Sequence, residues 1–159
     1  MPNYLDLLTA LNRENVKFVI VGGFAMVVYG ASTVTNDLDF AIALDNENGA
    51  ALIRALAPFH PYPPKYGSSE HFIWDERCLF GAVMSLITTA GHIDILRILP
   101  EVDSFDGLFE RSQTQSINGE TYQICSIEDL VAMKLAAGRT KDLEHIRQLQ
   151  ALEKLISDL

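Results

Sequence analysis

Four apolar residues, Phe18-Val19-Ile20-Val21, run straight into the pair Gly22-Gly23. No polar residue alternates with them, so the run reads as a strand buried inside a sheet. The glycine pair breaks the strand, and Phe24 to Tyr29 then reads as a buried helix closed by Gly30. A strand-to-helix junction of this kind offers unpaired backbone N–H groups and a positive helix end. Glycine there lets an anion such as phosphate approach the main chain closely. The same pair also serves as an ordinary tight turn.

The rest of the chain alternates in the same way. Tyr4, Leu5, Leu7, Leu8 and Leu11 recur at helical spacing. Asp37 to Leu44 reads as a second strand and Asn46 to Leu56 as a helix with Leu52, Ile53 and Leu56 inward. His60 to Ser69 is a proline-bearing loop, and strands are expected at Phe72 to Trp74, Cys78 to Thr88 and His92 to Leu99. Asn118-Gly119 between Gln115–Ile117 and Thr121–Ile124 predicts a hairpin whose turn residues both take positive φ. Ser126-Ile127-Glu128-Asp129 predicts a capping box opening a helix, and Thr140 opens a last helix toward Leu159. With no repeat and no linker, residues 1–159 read as one α+β domain, a mixed β-sheet with helices before and after it and C-terminal helices.

Composition narrows the partners. The 159 residues carry a net charge of −9 and are 48% hydrophobic, which excludes a disordered chain and argues against a nucleic-acid coat or a polybasic membrane clamp. The apolar stretch from Phe18 to Ala31 is shorter than the roughly 20 residues of a membrane span. The start, Met1 to Asp6, lacks the order of a signal peptide. Cys78 and Cys125 read as reduced, buried thiols, with a disulfide the lesser reading, and a cytoplasmic location is expected.

Chemistry concentrates in three acids. In a strand, residues i and i+2 share a face, so Asp37 and Asp39 project together while Leu38, Phe40 and Ile42 face the other way. Two carboxylates side by side repel, and burial is costly unless a cation binds between them. Hard oxygen donors suit Mg²⁺ or Mn²⁺; two harmless acids at a wet strand edge are the bland reading. Asp94, in His92-Ile93-Asp94-Ile95-Leu96, is a carboxylate inside an apolar strand. If that strand lies beside the first, all three acids converge on one metal site.

Glycine pair, thirteen residues, Asp-Leu-Asp, then a later strand aspartate: this order resembles the DNA polymerase β-type nucleotidyltransferase superfamily. More closely, the chain resembles its small bacterial branch, the AbiEii-type toxin-like nucleotidyltransferases. The resemblance rests on Val19 to Ala25, Thr35 to Asp39, His92 to Asp94 and Ile127 to Leu143. It implies that Gly22 and Gly23 hold a nucleoside triphosphate, that Asp37 and Asp39 bind Mg²⁺ or Mn²⁺, and that Asp94 completes the site as ligand or base. Lys134 and Asp142 match a further motif near the nucleotide. One departure stands out. Relatives commonly carry an arginine between the position of Gly30 and the first metal acid, and Ala31 to Asn36 contains none. Such a loss weakens stabilisation of phosphate charge.

At about 100° per residue, Ile127, Leu130, Val131, Leu135 and Gly138 share an arc, with Lys134 inside it and Glu128, Asp129 and Ala132 outside. An inward lysine meets a triphosphate or a carboxylate, or its stem snorkels to water. Lys134, Arg139, Lys141 and Arg147 outnumber Asp142 and Glu144, making a basic spot in an acidic chain. His92 shares a face with Asp94, as an outer partner or as ordinary polar packing. His60, His71 and His145 lack zinc-ligand spacing. Trp74 and Tyr62 to Tyr66 line a base pocket or pack in the core, and Ser32 has no histidine to activate it.

The leading expectation is transfer of a nucleoside monophosphate from an NTP to an RNA (such as a tRNA end), a protein or a small molecule, and the resemblance implies a toxin–antitoxin or phage-defence setting. A cognate antitoxin or a second copy of the chain is the expected protein partner. The alternatives are a non-catalytic, antitoxin-like binding module and a metal-dependent phosphohydrolase.

Overall fold

The computed structural model describes residues 3–32, 34–138 and 140–159, with side chains of 140–142 left out of the description. Helix α1, Leu5–Arg13, leads into β1, Phe18–Val21, then α2, Gly22–Val28, β2, Asp37–Ile42, and α3, Asn46–Leu56. A long connection follows, with short 3₁₀ turns at Ala57–Phe59, Pro64–Tyr66 and Glu76–Cys78. After it come β3, Val83–Thr88, β4, Gly91–Leu96, α4, Phe105–Arg111, β5, Gln113–Ile117, β6, Glu120–Ile124, α5, Ile127–Ala137, and α6, Thr140–Ser157.

The strands form one mixed sheet in the order β3-β4-β2-β1-β6-β5. β2 runs parallel to β4 and antiparallel to β1, while β1 runs parallel to β6. Leu38, Phe40, Ile93 and Ile95 are fully buried on one face, in a cluster with Leu7, Leu8 and Leu11 of α1 and Leu52 and Leu56 of α3. α1 and α3 also pack against each other. This apolar layer covers one side of β2 and β4 and leaves their alternate residues on the other. Among the described residues no helix is long and apolar enough to cross a membrane.

The α+β architecture with a mixed sheet matches the expectation, and local differences have local causes. Asn118 and Gly119 take φ of +52° and +84°, the mirror-image turn that two-residue hairpins demand. Ser126 accepts from the N–H of Asp129, capping α5. Phe72 to Trp74 forms no strand. Trp74 instead donates its indole N–H to the Ile53 carbonyl at 3.0 Å and packs on the core, so its apolar neighbours serve as a plug. The expected strand from Cys78 begins only at Val83, after the turn at Glu76–Cys78 and the left-handed Gly81. β2 ends at Ile42 and β4 at Leu96, short of the expected Leu44 and Leu99. Helix α4, with its Ser104 cap, was not foreseen.

The inward arc of α5 also needs correction. Its buried residues, Ile127, Asp129 and Leu130, all belong to the first turn. Asp129 is 6% exposed and accepts from Arg111 of α4 at 2.9 Å, whereas Leu135 of the expected arc is 60% exposed.

Candidate active site

Parallel pairing of β2 with β4 sets Asp37 opposite His92 and Asp39 opposite Asp94. Antiparallel pairing of β3 with β4 sets Ser85 opposite Asp94. These side chains share one face because Leu38, Phe40, Ile93 and Ile95 occupy the other, and a one-residue slip would bury the acids among leucines. Tyr4 secures the strand ends. Its hydroxyl, with one proton to give, lies 2.6 Å from the Asn36 carbonyl and 2.7 Å from that of His92. Burial first, then the charges of Asp37, Asp39 and Asp94, raise the Tyr4 pKa to about 12.

Asp39 carries the electrostatic strain of the site. Burial, then the charges of Asp94 and Asp37, then a hydrogen bond shared with Asp94, raise its pKa to about 7, against a smaller opposing effect of Lys134. Its Oδ1 is buried without a hydrogen-bond partner. A Cβ on Gly22, whose φ is +68°, would collide with the Asp39 carboxylate, so only glycine fits that close approach. His92 lies between the other two acids, with Nδ1 3.0 Å from Asp37 Oδ1 and Nε2 3.6 Å from Asp94 Oδ1. Ser85 donates to the same Asp94 oxygen at 2.5 Å. Donor atoms of Asp37, His92 and Asp94 all lie within 4.8 Å of one another. An orphaned buried oxygen, crowded carboxylates and convergent donors are what a bound divalent cation relieves, so these residues fit such an ion.

A cavity of about 280 Å³ adjoins Asp39, lined also by Gly22, Glu101, Leu130, Met133 and Lys134 among others. Lys134 is half-buried there. A second cavity, of about 530 Å³, starts at Ser85 and runs between β3 and the connection before it, past Lys65, Tyr66, Arg77 and Phe80. Arg139 and the side chain of Asp142, both expected near the nucleotide, lie outside the described residues, as does the side chain of Lys141. Arg147 of the expected basic spot is exposed and stands 3.7 Å from Glu144.

Sequence reasoning placed Asp37, Asp39 and Asp94 and weighed His92, but it missed the contact between His92 and Asp37 and missed Ser85 altogether. Ser85 had a signal. It is as far before the Thr89-Ala90 turn as Asp94 is after it, so a tight hairpin there pairs the two. The contact of His92 with Asp37 depends on which strands are neighbours, and nothing local marks that.

The fold is that of the nucleotidyltransferases, and solved structures share it. A candidate nucleotidyltransferase, TM1012 from Thermotoga maritima, superposes with a TM-score of 0.59 at 17% identity, over 98% of this chain and 94% of that one. ANT(2'')-Ia in complex with adenylyl-2''-tobramycin gives 0.57 at 16% identity, over 96% and 92%. An antigenic nucleotidyltransferase-like protein from Paracoccidioides brasiliensis gives 0.57 at 17%, over 98% and 79%. No curated protein is close enough in sequence to count as a relative. The chain belongs to a family of nucleotidyltransferases of unknown function (DUF6036), whose profile matches residues 4–158.

Proposed function

We propose that this chain, acting as one unit over residues 1–159, catalyses metal-dependent transfer of a nucleoside monophosphate from an NTP to an acceptor hydroxyl. One observation carries the reading: the Asp39 carboxylate, crowded by Asp94, has one oxygen buried without a partner and the other packed against Gly22. A cation (Mg²⁺ or Mn²⁺) bound by Asp37, Asp39 and Asp94 would neutralise phosphate charge and favour departure of pyrophosphate. Gly22 and Gly23 present main chain without side chains, so phosphate oxygens approach it closely. Lys134, lining the same cavity as Asp39, adds positive charge for the triphosphate. Asp94 accepts the acceptor's proton as the freed oxygen attacks the α-phosphorus, and the Ser85 hydroxyl holds that carboxylate in place.

The cavity that begins at Ser85 has the size of a small-molecule site. Together with the net charge of −9, this favours a compact acceptor over an RNA end or a protein side chain. The block from Ile127 to Leu143 supports a place near the AbiEii-type branch. Exposed Leu135, Leu143 and Leu155 on α5 and α6 offer a surface for an antitoxin-like partner or a second copy. The free thiols Cys78 and Cys125 are consistent with a cytoplasmic setting.

The test is incubation with α-labelled NTPs, Mg²⁺ or Mn²⁺, and acceptors spanning aminoglycosides, tRNA and protein. Transfer of label that Asp39→Asn abolishes is the expected result. NTP binding without transfer to any acceptor would favour the non-catalytic module, which the missing arginine before Asp37 supports. Release of phosphate or pyrophosphate without an acceptor would mark a hydrolase.

A further inference from the structure

We propose that His92 contributes a nitrogen donor, Nε2, to the cation site, so that the site takes a borderline ion such as Mn²⁺ in preference to Mg²⁺. This rests on the reading above, that the acids of β2 and β4 hold a divalent cation.

The two ring nitrogens of His92 meet different surroundings. Nδ1 is 3.0 Å from Asp37 Oδ1, a hydrogen-bonding distance. A carboxylate only accepts when ionised, so Nδ1 carries the hydrogen and donates. In the neutral ring Nε2 then holds a lone pair. That lone pair faces Asp94 Oδ1 at 3.6 Å, too long for a hydrogen bond. The same oxygen already takes the Ser85 proton at 2.5 Å. With the ring neutral, as a metal-binding imidazole must be, two lone-pair donors face each other across a short gap.

The gap has the width of a shared ion. Donor atoms about 2.1 Å from one ion, at angles between 90° and 120°, stand about 3.0–3.6 Å apart. A histidine that binds metal through one nitrogen and donates the other N–H to a carboxylate is a recurrent arrangement, because the accepting carboxylate fixes the tautomer and raises ligand basicity. Asp37 is placed to do this by strand register, not by a flexible loop, since it pairs directly with His92. Tyr4, bonded near the His92 carbonyl, steadies the same residue. Among the described residues this is the trio of donors that converges, and its members lie within 4.8 Å. An imidazole in the donor set favours Mn²⁺ and later first-row ions; Mg²⁺ prefers oxygen alone.

The test uses the full chain freed of metal and titrated with Mn²⁺ and Mg²⁺, with and without ATP. Pulsed electron paramagnetic resonance of bound Mn²⁺ should show coupling to a nitrogen nucleus. The coupling should change frequency when the chain is made with ¹⁵N-histidine, which needs no variant and therefore no assumption about folding. His92→Gln should lose the coupling and weaken Mn²⁺ binding about tenfold while leaving Mg²⁺ affinity within about threefold. Bound Mn²⁺ without histidine coupling, or coupling that survives His92→Gln, overturns the inference. If label transfer persists in that case, nucleotidyl transfer still stands. Histidine coupling in a protein that transfers to no acceptor leaves the ligand assignment standing and removes the activity. If neither ion binds, with or without ATP, both are removed.

Discussion

Asp39 has a pKa of about 7 in the folded, metal-free protein, raised first by burial and then by Asp94 and Asp37; in the unfolded chain it is an ordinary aspartate near 4. The folded state therefore holds a proton that the unfolded state has released. By linkage this contribution is fully present below about pH 4 and is lost as pH rises through about 7. The gap corresponds to at most about 4 kcal/mol, and to roughly half of that for a site partly open to water. Urea unfolding in EDTA should show wild type losing stability between pH 5 and pH 8 relative to Asp39→Asn, which should be the more stable protein at pH 8. Parallel pH profiles for the two would show that the crowding is relieved some other way. Tyr4 makes a second prediction at this scale. Tyr4→Phe removes the hydroxyl that reaches the Asn36 and His92 carbonyls, at a cost of about 1–2 kcal/mol. Calorimetric titration should also show weaker Mn²⁺ binding, because the ends of β2 and β4 are no longer tied.

α4 and α5 are joined by Arg111, which donates to Asp129 at 2.9 Å and reaches Asp103 as well. Asp129 is nearly closed off from water. Arg111→Met leaves that carboxylate buried without its partner and should cost about 3 kcal/mol in denaturant unfolding. Adding Asp129→Asn should recover part of the loss; no recovery would place the cost in lost packing by the arginine stem. These elements also mark how far the chain could be read before its structure. The hairpin at Asn118-Gly119, the Ser126 cap and the helical spacing of α1 are local signals, and the structure reproduces them. Asp129 illustrates the opposite case: a helical wheel puts it outward, and only a helix some twenty residues earlier explains its burial. α4 itself has seven residues and a single buried one, Leu108, too little periodicity to see. At the site, strand alternation alone puts Asp37 and Asp39 on one face. The juxtapositions of His92 with Asp37 and of Ser85 with Asp94 come from sheet order, which joins residues distant in the chain.

The whole molecule carries a charge of −9, and at a distance such a field repels a polyphosphate. If the chain binds an NTP as proposed, attraction must come from nearby: from Lys134 beside the Asp39 cavity, and from a cation that would turn three repelling carboxylates into a seat for phosphate. Nucleotide and cation should consequently bind as a pair, each weak alone. A ligand that binds only the folded state adds about 2.7 kcal/mol of stability at a hundred times its Kd. For a domain of this size each kcal/mol raises Tm by about 2–4 °C. Mn²⁺ with ATP should therefore raise Tm by about 5–10 °C in thermal-shift measurements, whereas ATP in EDTA should move it by less than about 1 °C. Asp39→Asn combined with Asp94→Asn should lose the joint shift while keeping the fold, because both asparagines preserve side-chain volume and remove only charge. A full shift from ATP in EDTA would mean that the main chain and Lys134 bind the triphosphate unaided, and that the acids have another use.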